Sequence, residues 1–181
     1  MNKADLTHLA NNAINSRKDM DRLFENIYPM VWHFYRIRIN DIEDAKDLTQ
    51  NACIKLVNNL DKFKCEKAGF STWMYRIIKN LLIDFYRKKT LKFEEIDFNL
   101  LEGTESPLKI ILNKEAQVKL KELLAGLSNR QKEILEMKYF FNMKNKEISS
   151  MLEIKEKTVS SIITRAFEKL KDLLDKDGFK I

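Results

Sequence analysis

The chain has 181 residues, 44% hydrophobic and 33% charged, with 33 Lys and Arg against 27 Asp and Glu. That length allows one ordinary domain or two small ones. Four Gly and two Pro argue against a loop-rich β fold or a low-complexity tail, and the surplus of Leu, Ile, Lys, Glu and Asn favours an all-α protein.

In chain order, Leu6, Leu9, Ala10 and Ala13 mark a short first helix within an extension, residues 1–16, expected to cap the core of the first domain. Leu23, Ile27, Met30, Val31, Phe34 and Tyr35 mark a longer second helix, which Pro29 is expected to kink. Asp41, Glu43, Asp44 and Asp47 then lead into Leu48, Ala52, Leu56 and Leu60, a third helix whose N-terminal dipole suits the carboxylates. Asp61 to Phe70, with Gly69, reads as a loop, and Ser71 as the N-cap of a fourth helix over 72–89. The pattern breaks between Thr90 and Lys109, where Gly103, Pro107 and five acids fall. This divides the chain into a domain at 1–89, a linker at 90–109 and a domain at 110–181. Fully stretched, that linker reaches at most about 66 Å, or about 19 base steps of DNA.

The second domain is expected to open with a helix from about Leu112 to Ala125 that stops at Gly126. Ser128 to Gln131 is a capping box ahead of Ile134, Leu135, Lys138 and Tyr139. Asn145 to Leu152 forms a short helix, Glu153 to Lys155 a three-residue turn, and Glu156 to Leu174 a longer helix, which is helix-turn-helix spacing. Ile148, Met151, Leu152, Ile154, Val159 and Ile163 fall where these two helices must pack together. Glu153 takes the turn position where Gly is usual, and Lys155 the place of a Ser or Thr cap, at a cost of about 1 kcal/mol each.

No apolar run approaches the roughly 18 to 20 residues of a membrane span, and MNKADLTHLANN lacks the layout of a signal peptide. The expectation is a cytoplasmic protein without membrane insertion. Cys53 and Cys65 form no CxxC pair, and His8 and His33 stand apart. The cysteines therefore read as plain thiols, with no zinc site, disulfide framework, metal or cofactor implied.

Charge is unevenly placed: residues 64–92 carry a net +6, 93–107 a net −5, and 108–181 a net +5. Two basic blocks around an acidic strip suit a protein that touches phosphate in two places. On the fourth helix, one half of the circumference carries Trp73, Ile77, Leu81, Met74, Phe85, Ile78 and Leu82 and reads as core. The other half holds Arg76, Lys79, Asn80 and Arg87, with Ile83 among them and Asp84 at its edge. Arg and Lys there can grip phosphates while the Asn80 amide reads a base edge. Phe63 in the preceding loop, beside Lys62, Lys64 and Lys67, could cradle an unstacked base. On the second helix of the helix-turn-helix the outer face shows Thr158, Ser160, Ser161, Thr164, Arg165 and Lys169, with Lys157 alongside. Hydroxyls and one Arg can bond base edges and phosphates from the major groove.

These residues together resemble an RNA polymerase sigma factor of the sigma-70 family, extracytoplasmic-function type. Asp44-Ala-Lys-Asp-Leu-Thr-Gln50 with Ile54-Lys-Leu-Val57 and Asn59-Leu-Asp-Lys-Phe63 resembles the region 2 helix that docks on the coiled coil of the polymerase β′ subunit. Phe70-Ser-Thr-Trp-Met-Tyr-Arg-Ile77, Asn80-Leu-Leu-Ile-Asp84 and Arg87-Lys-Lys89 resemble the segment that melts and reads the minus-10 element. Leu127-Ser128, Arg130-Gln131 and the helix-turn-helix resemble region 4, the minus-35 reader. The resemblance implies two small helical domains on an acidic linker, and a bacterial factor that directs promoter-specific initiation without ATP or a catalytic residue. Its polymerase contacts would be Asp44, Asp47, Leu48 and Gln50, with the β flap as a further contact. Its minus-10 contacts would be Phe63, Lys64, Lys67, Arg76, Lys79, Asn80, Asp84 and Arg87. Its minus-35 contacts would be Lys157, Thr158, Ser160, Ser161, Thr164 and Arg165. An anti-sigma factor, which can hold such proteins near the membrane, is the expected regulator. The chain departs from the family pattern at Asn51, Cys53, Ser160, Ile162 and Phe167.

Two rival readings are weaker. A stand-alone helix-turn-helix regulator accounts for residues 127–174 but not for Asp44 to Gln50 or Phe70 to Arg87. A nuclease with Asp44 and Asp47 as metal ligands lacks a third ligand in view.

Overall fold

The computed structural model describes residues 3–64, 69–89 and 123–176, and every described element is a helix. The linker at 90–109, Cys65 and Lys67 lie outside the described residues, as does most of the helix expected from Leu112. The chain separates into two compact units, Met1–Glu95 with Phe141–Met143, and Ile96–Phe140 with Lys144–Ile181.

In the first unit, α1 (Lys3–Ala13) packs on α2 (Arg17–Arg36), and α3 (Ile42–Asn58) packs on both α2 and α4 (Phe70–Lys89). Leu6, Leu9, Ala10 and Ala13 are all buried, as the periodicity of α1 requires. Ser16 caps α2, its hydroxyl accepting from the Asp19 N–H at 3.2 Å. The helix then runs unbroken from Arg17 to Arg36 through Pro29. Asp41 caps α3 by accepting from the N–H groups of Glu43 and Asp44 at 2.8 and 3.0 Å. Those two bonds hold its carboxyl below the usual range. A single 3-10 turn, Leu60–Lys62, follows α3.

Two sequence expectations are corrected at α4. Ser71 is not the cap: the helix begins at Phe70, Ser71 is buried in its first turn, and the Gly69 carbonyl accepts from Thr72 and Trp73. The buried stripe is also rotated, running through Met74, Tyr75, Ile78, Leu82 and Tyr86, while Trp73, Ile77, Leu81 and Phe85 are half-buried. The reason is that both tyrosines find acceptors or packing inside. Tyr86 donates its hydroxyl to the Arg38 carbonyl, and Tyr35 of α2 donates to the Ile78 carbonyl at 3.0 Å, pinning α2 to α4.

In the second unit, residues 123–125 are helical and Gly126 turns the chain. A Cβ at Gly126 would lie 2.7 Å from Leu173 Cδ1 and 3.3 Å from the Leu123 carbonyl, so that turn is closely covered. The capping box opens α5 (Asn129–Leu135): Ser128 Oγ accepts from the Gln131 N–H at 3.3 Å and Gln131 Oε1 accepts from the Ser128 N–H at 3.0 Å. Beyond Leu135 the helix widens into a π turn over Glu136–Phe140, which leaves Tyr139 59% exposed. Then come α6 (Asn145–Leu152) and α7 (Glu156–Lys176). Ile148, Val159 and Ala166 are fully buried, with Met151, Leu152, Ile154 and Ile163 half-buried.

Candidate nucleic-acid and polymerase interface

On α3, Asp47 and Gln50 are exposed and three residues apart, which puts them on one helical face. Ile54, one turn further along that face, is 59% exposed. In the sequence it opens the Ile54-Lys-Leu-Val57 stretch. Leu48 points the other way and is only 8% exposed, so it serves the core. Asp44 is half-buried and forms an ion pair with Lys89 at the far end of α4. Lys89 also lies 5.1 Å over the Phe85 ring. The start of α3 and the end of α4 are thereby joined.

On α4, Arg76, Asn80, Ile83 and Arg87 are exposed and Lys79 is half-buried. At 100° per residue these positions share one flank of the helix, away from the buried stripe. Arg87 pairs with Asp84 at 2.9 Å, so that turn carries little net charge. Phe63 is not a free platform. It is 7% exposed and packs edge-on against Phe70 at 5.3 Å, with Trp73 5.6 Å away. The rings of Phe63, Phe70 and Trp73 form a triad at the start of α4, and Trp73 is the member that reaches the surface. Lys64 is exposed beside it.

On α7, Lys157, Thr158, Ser160, Thr164 and Arg165 are exposed and Ser161 is half-buried. Two hydroxyls already have partners. Asn145 Nδ2 donates to Ser160 Oγ at 3.0 Å, and Thr164 donates to the Ser160 carbonyl at 3.1 Å. Asn145 in turn accepts from Lys138 Nζ at 2.8 Å, so a polar chain fixes the start of α6 to the second helix. The turn between the helices has Glu153 at φ 53° and ψ 40°, the left-handed conformation that Gly takes most easily. Arg130 braces it from α5, pairing with Glu133 at 3.0 Å and donating to the Leu152 carbonyl at 3.4 Å, where α6 ends. Among the described residues no three His, Cys, Asp or Glu side chains gather as a metal site would need. No helix among them is long and apolar enough to cross a membrane.

Comparison with known proteins assigns both units. Residues 23–91 match the Sigma-70 region 2 family and residues 117–170 the Sigma-70 region 4 family. The chain is 30% identical to RNA polymerase sigma factor SigZ of Bacillus subtilis, over 87% of this chain and 88% of that one. It is 27% identical to the ECF RNA polymerase sigma factor SigW of the same organism, over 85% and 83%. In fold it is similar to RpoE of Bartonella quintana, solved with the anti-sigma factor NepR, with a TM-score of 0.58, 19% identity and coverage of 87% and 98%. It is likewise similar to CnrH, solved with the cytosolic domain of CnrY, with a TM-score of 0.56, 20% identity and coverage of 96% and 99%. A stand-alone regulator reading gains no support from these relatives. With region 2 ahead of region 4 on one helical chain, this protein belongs to the sigma-70 family, extracytoplasmic-function type, the factors that bind core RNA polymerase and direct initiation at their promoters.

Proposed function

We propose that the two units divide initiation between three surfaces. Asp47 and Gln50 on α3, with Asp44 beside them, meet the basic coiled coil of the polymerase. Arg76, Lys79, Asn80 and Arg87 on α4, with Lys64 ahead of them, hold the backbone and read the opened minus-10 strand. Lys157, Thr158, Ser161 and Arg165 on α7 read the minus-35 duplex from the major groove. Phe63 acts through the aromatic triad it supports, and a flipped base meets Trp73 at the surface. Unstacking that base costs a few kcal/mol, which phosphate contacts offset, so opening needs no nucleotide hydrolysis and no catalytic group.

The observation that carries this reading is the separation of faces on the region 2 unit. The acid and amide pair stands exposed on α3, and the basic and amide row stands on α4, exposed but for the half-buried Lys79, each on a helix whose other side is core. The protein acts in the cytoplasm, where polymerase is, and does no covalent chemistry. Its regulator is an anti-sigma protein, by likeness to RpoE solved with NepR. The test is co-elution of the purified chain with bacterial core RNA polymerase on a sizing column. Wild type is expected to co-elute and an Asp47→Arg/Gln50→Ala variant to separate. A wild-type chain that stays apart from polymerase yet still binds duplex DNA would refute the reading.

A further inference from the structure

The first turn of α4 carries no acidic side chain. Its N-cap position is Gly69, and Phe70, Ser71 and Thr72 carry no charge. A helix start leaves its first N–H groups without intrahelical acceptors. The Phe70 N–H finds its acceptor 63 residues earlier in the chain, on Thr7 Oγ1 of α1 at 3.1 Å. Thr7 is held there firmly, because Leu6, Leu9 and Ala10 on either side of it are buried. The donor is the backbone N–H of Phe70, whose ring belongs to the Phe63, Phe70 and Trp73 triad, one turn and a half ahead of the basic row that begins at Arg76. Helix α1 lies wholly before residue 23, where the match to the region 2 family begins.

We infer that Thr7 is a positioning residue for strand opening: its hydroxyl fixes the first turn of α4, and with it the aromatic triad and the basic row. This rests on the assignment of α4 to the minus-10 element. The bond touches neither Asp47 nor Gln50, so polymerase docking is independent of it.

The experiment compares full-length wild type, Thr7→Val and Thr7→Ser, each with core RNA polymerase, at a promoter that the wild-type holoenzyme opens. Valine keeps the shape and removes the acceptor, and serine restores it. Three quantities are read: co-elution with polymerase, permanganate reactivity of the minus-10 strand, and hydrogen exchange of the Phe70 amide. Thr7→Val is expected to co-elute normally, to lose protection at Phe70, and to open DNA about fivefold less, the equivalent of one lost cap. Thr7→Ser is expected to recover both. Unchanged opening by Thr7→Val would overturn the inference, as would a parallel loss of docking and opening that follows a lowered melting temperature. A wild-type chain that neither docks nor opens any promoter would instead refute the functional reading itself, and the role of Thr7 would fall with it.

Discussion

His33 lies in α2 with 4% of its surface exposed, and burial, with Arg38 nearby as a second cause, pushes its imidazole down to about 3 from an ordinary 6.5. The folded protein therefore keeps this ring neutral while the unfolded chain takes up a proton below pH 6.5. More protons on the unfolded state means stability rises with pH, so stability is lost as pH falls from 6.5 towards 3 and levels off below that. The slope is expected to reach about 1.4 kcal/mol per pH unit for this one group. Urea unfolding across that range checks it: the slope should shrink by this amount in His33→Gln. Two other buried polar side chains of the region 2 unit find acceptors within it. Thr49 donates to the Ala45 carbonyl at 2.7 Å, and Arg38 donates to the Phe34 carbonyl at 2.8 Å while lying 4.0 Å over its ring. Cys53, also buried, has its thiol pushed up to about 11, which suits an inert packing role.

At the scale of elements, the turn between α6 and α7 carries an identifiable strain. Glu153 holds a left-handed conformation that costs an L-residue about 1 to 2 kcal/mol. Glu153→Gly removes that cost but loosens the unfolded chain, so a net gain of about 0.5 to 1 kcal/mol in unfolding free energy is expected, read by denaturant titration. This turn was legible in the sequence because its signals are local: Asn145 to Leu152 and Glu156 onward are bounded by residues within a few positions. The capping box at Ser128 was legible for the same reason. The start of α4 was not, since its acceptor belongs to Thr7 on another helix, and a local reading assigns the nearest hydroxyl, Ser71. Tyr86 escaped the core stripe because a hydroxyl counts as polar until its carbonyl partner is known, and Tyr75, buried on the same stripe, escaped with it. Of the site, the outer faces of α4 and α7 were readable from helical spacing. What spacing could not give was which members are already engaged: Phe63 with Phe70, Ser160 with Asn145, Arg87 with Asp84, Asp44 with Lys89.

For the whole molecule, promoter affinity combines contacts from two units on one chain, and a loss in either one is felt by both. Arg165 is the exposed guanidinium on the outer face of α7, and Arg165→Ala is expected to weaken binding of the minus-35 duplex by about 1 to 3 kcal/mol. Because the side chain is exposed, the melting temperature should hold. Fluorescence anisotropy with a labelled duplex measures the loss, and unchanged affinity would mean that α7 presents a different face to DNA.

The kinship of this chain and its folding do not share a boundary. The region 2 match begins at Leu23, inside α2, yet Leu6, Leu9, Ala10 and Ala13 are buried ahead of it, and the helix that carries them packs on both α2 and α4. A fragment trimmed to the matched segment would bare an apolar seat on α2 and α4 at once and cut away the first six residues of α2. Expression boundaries drawn from family resemblance would thus yield a sticky, frayed core in place of a domain.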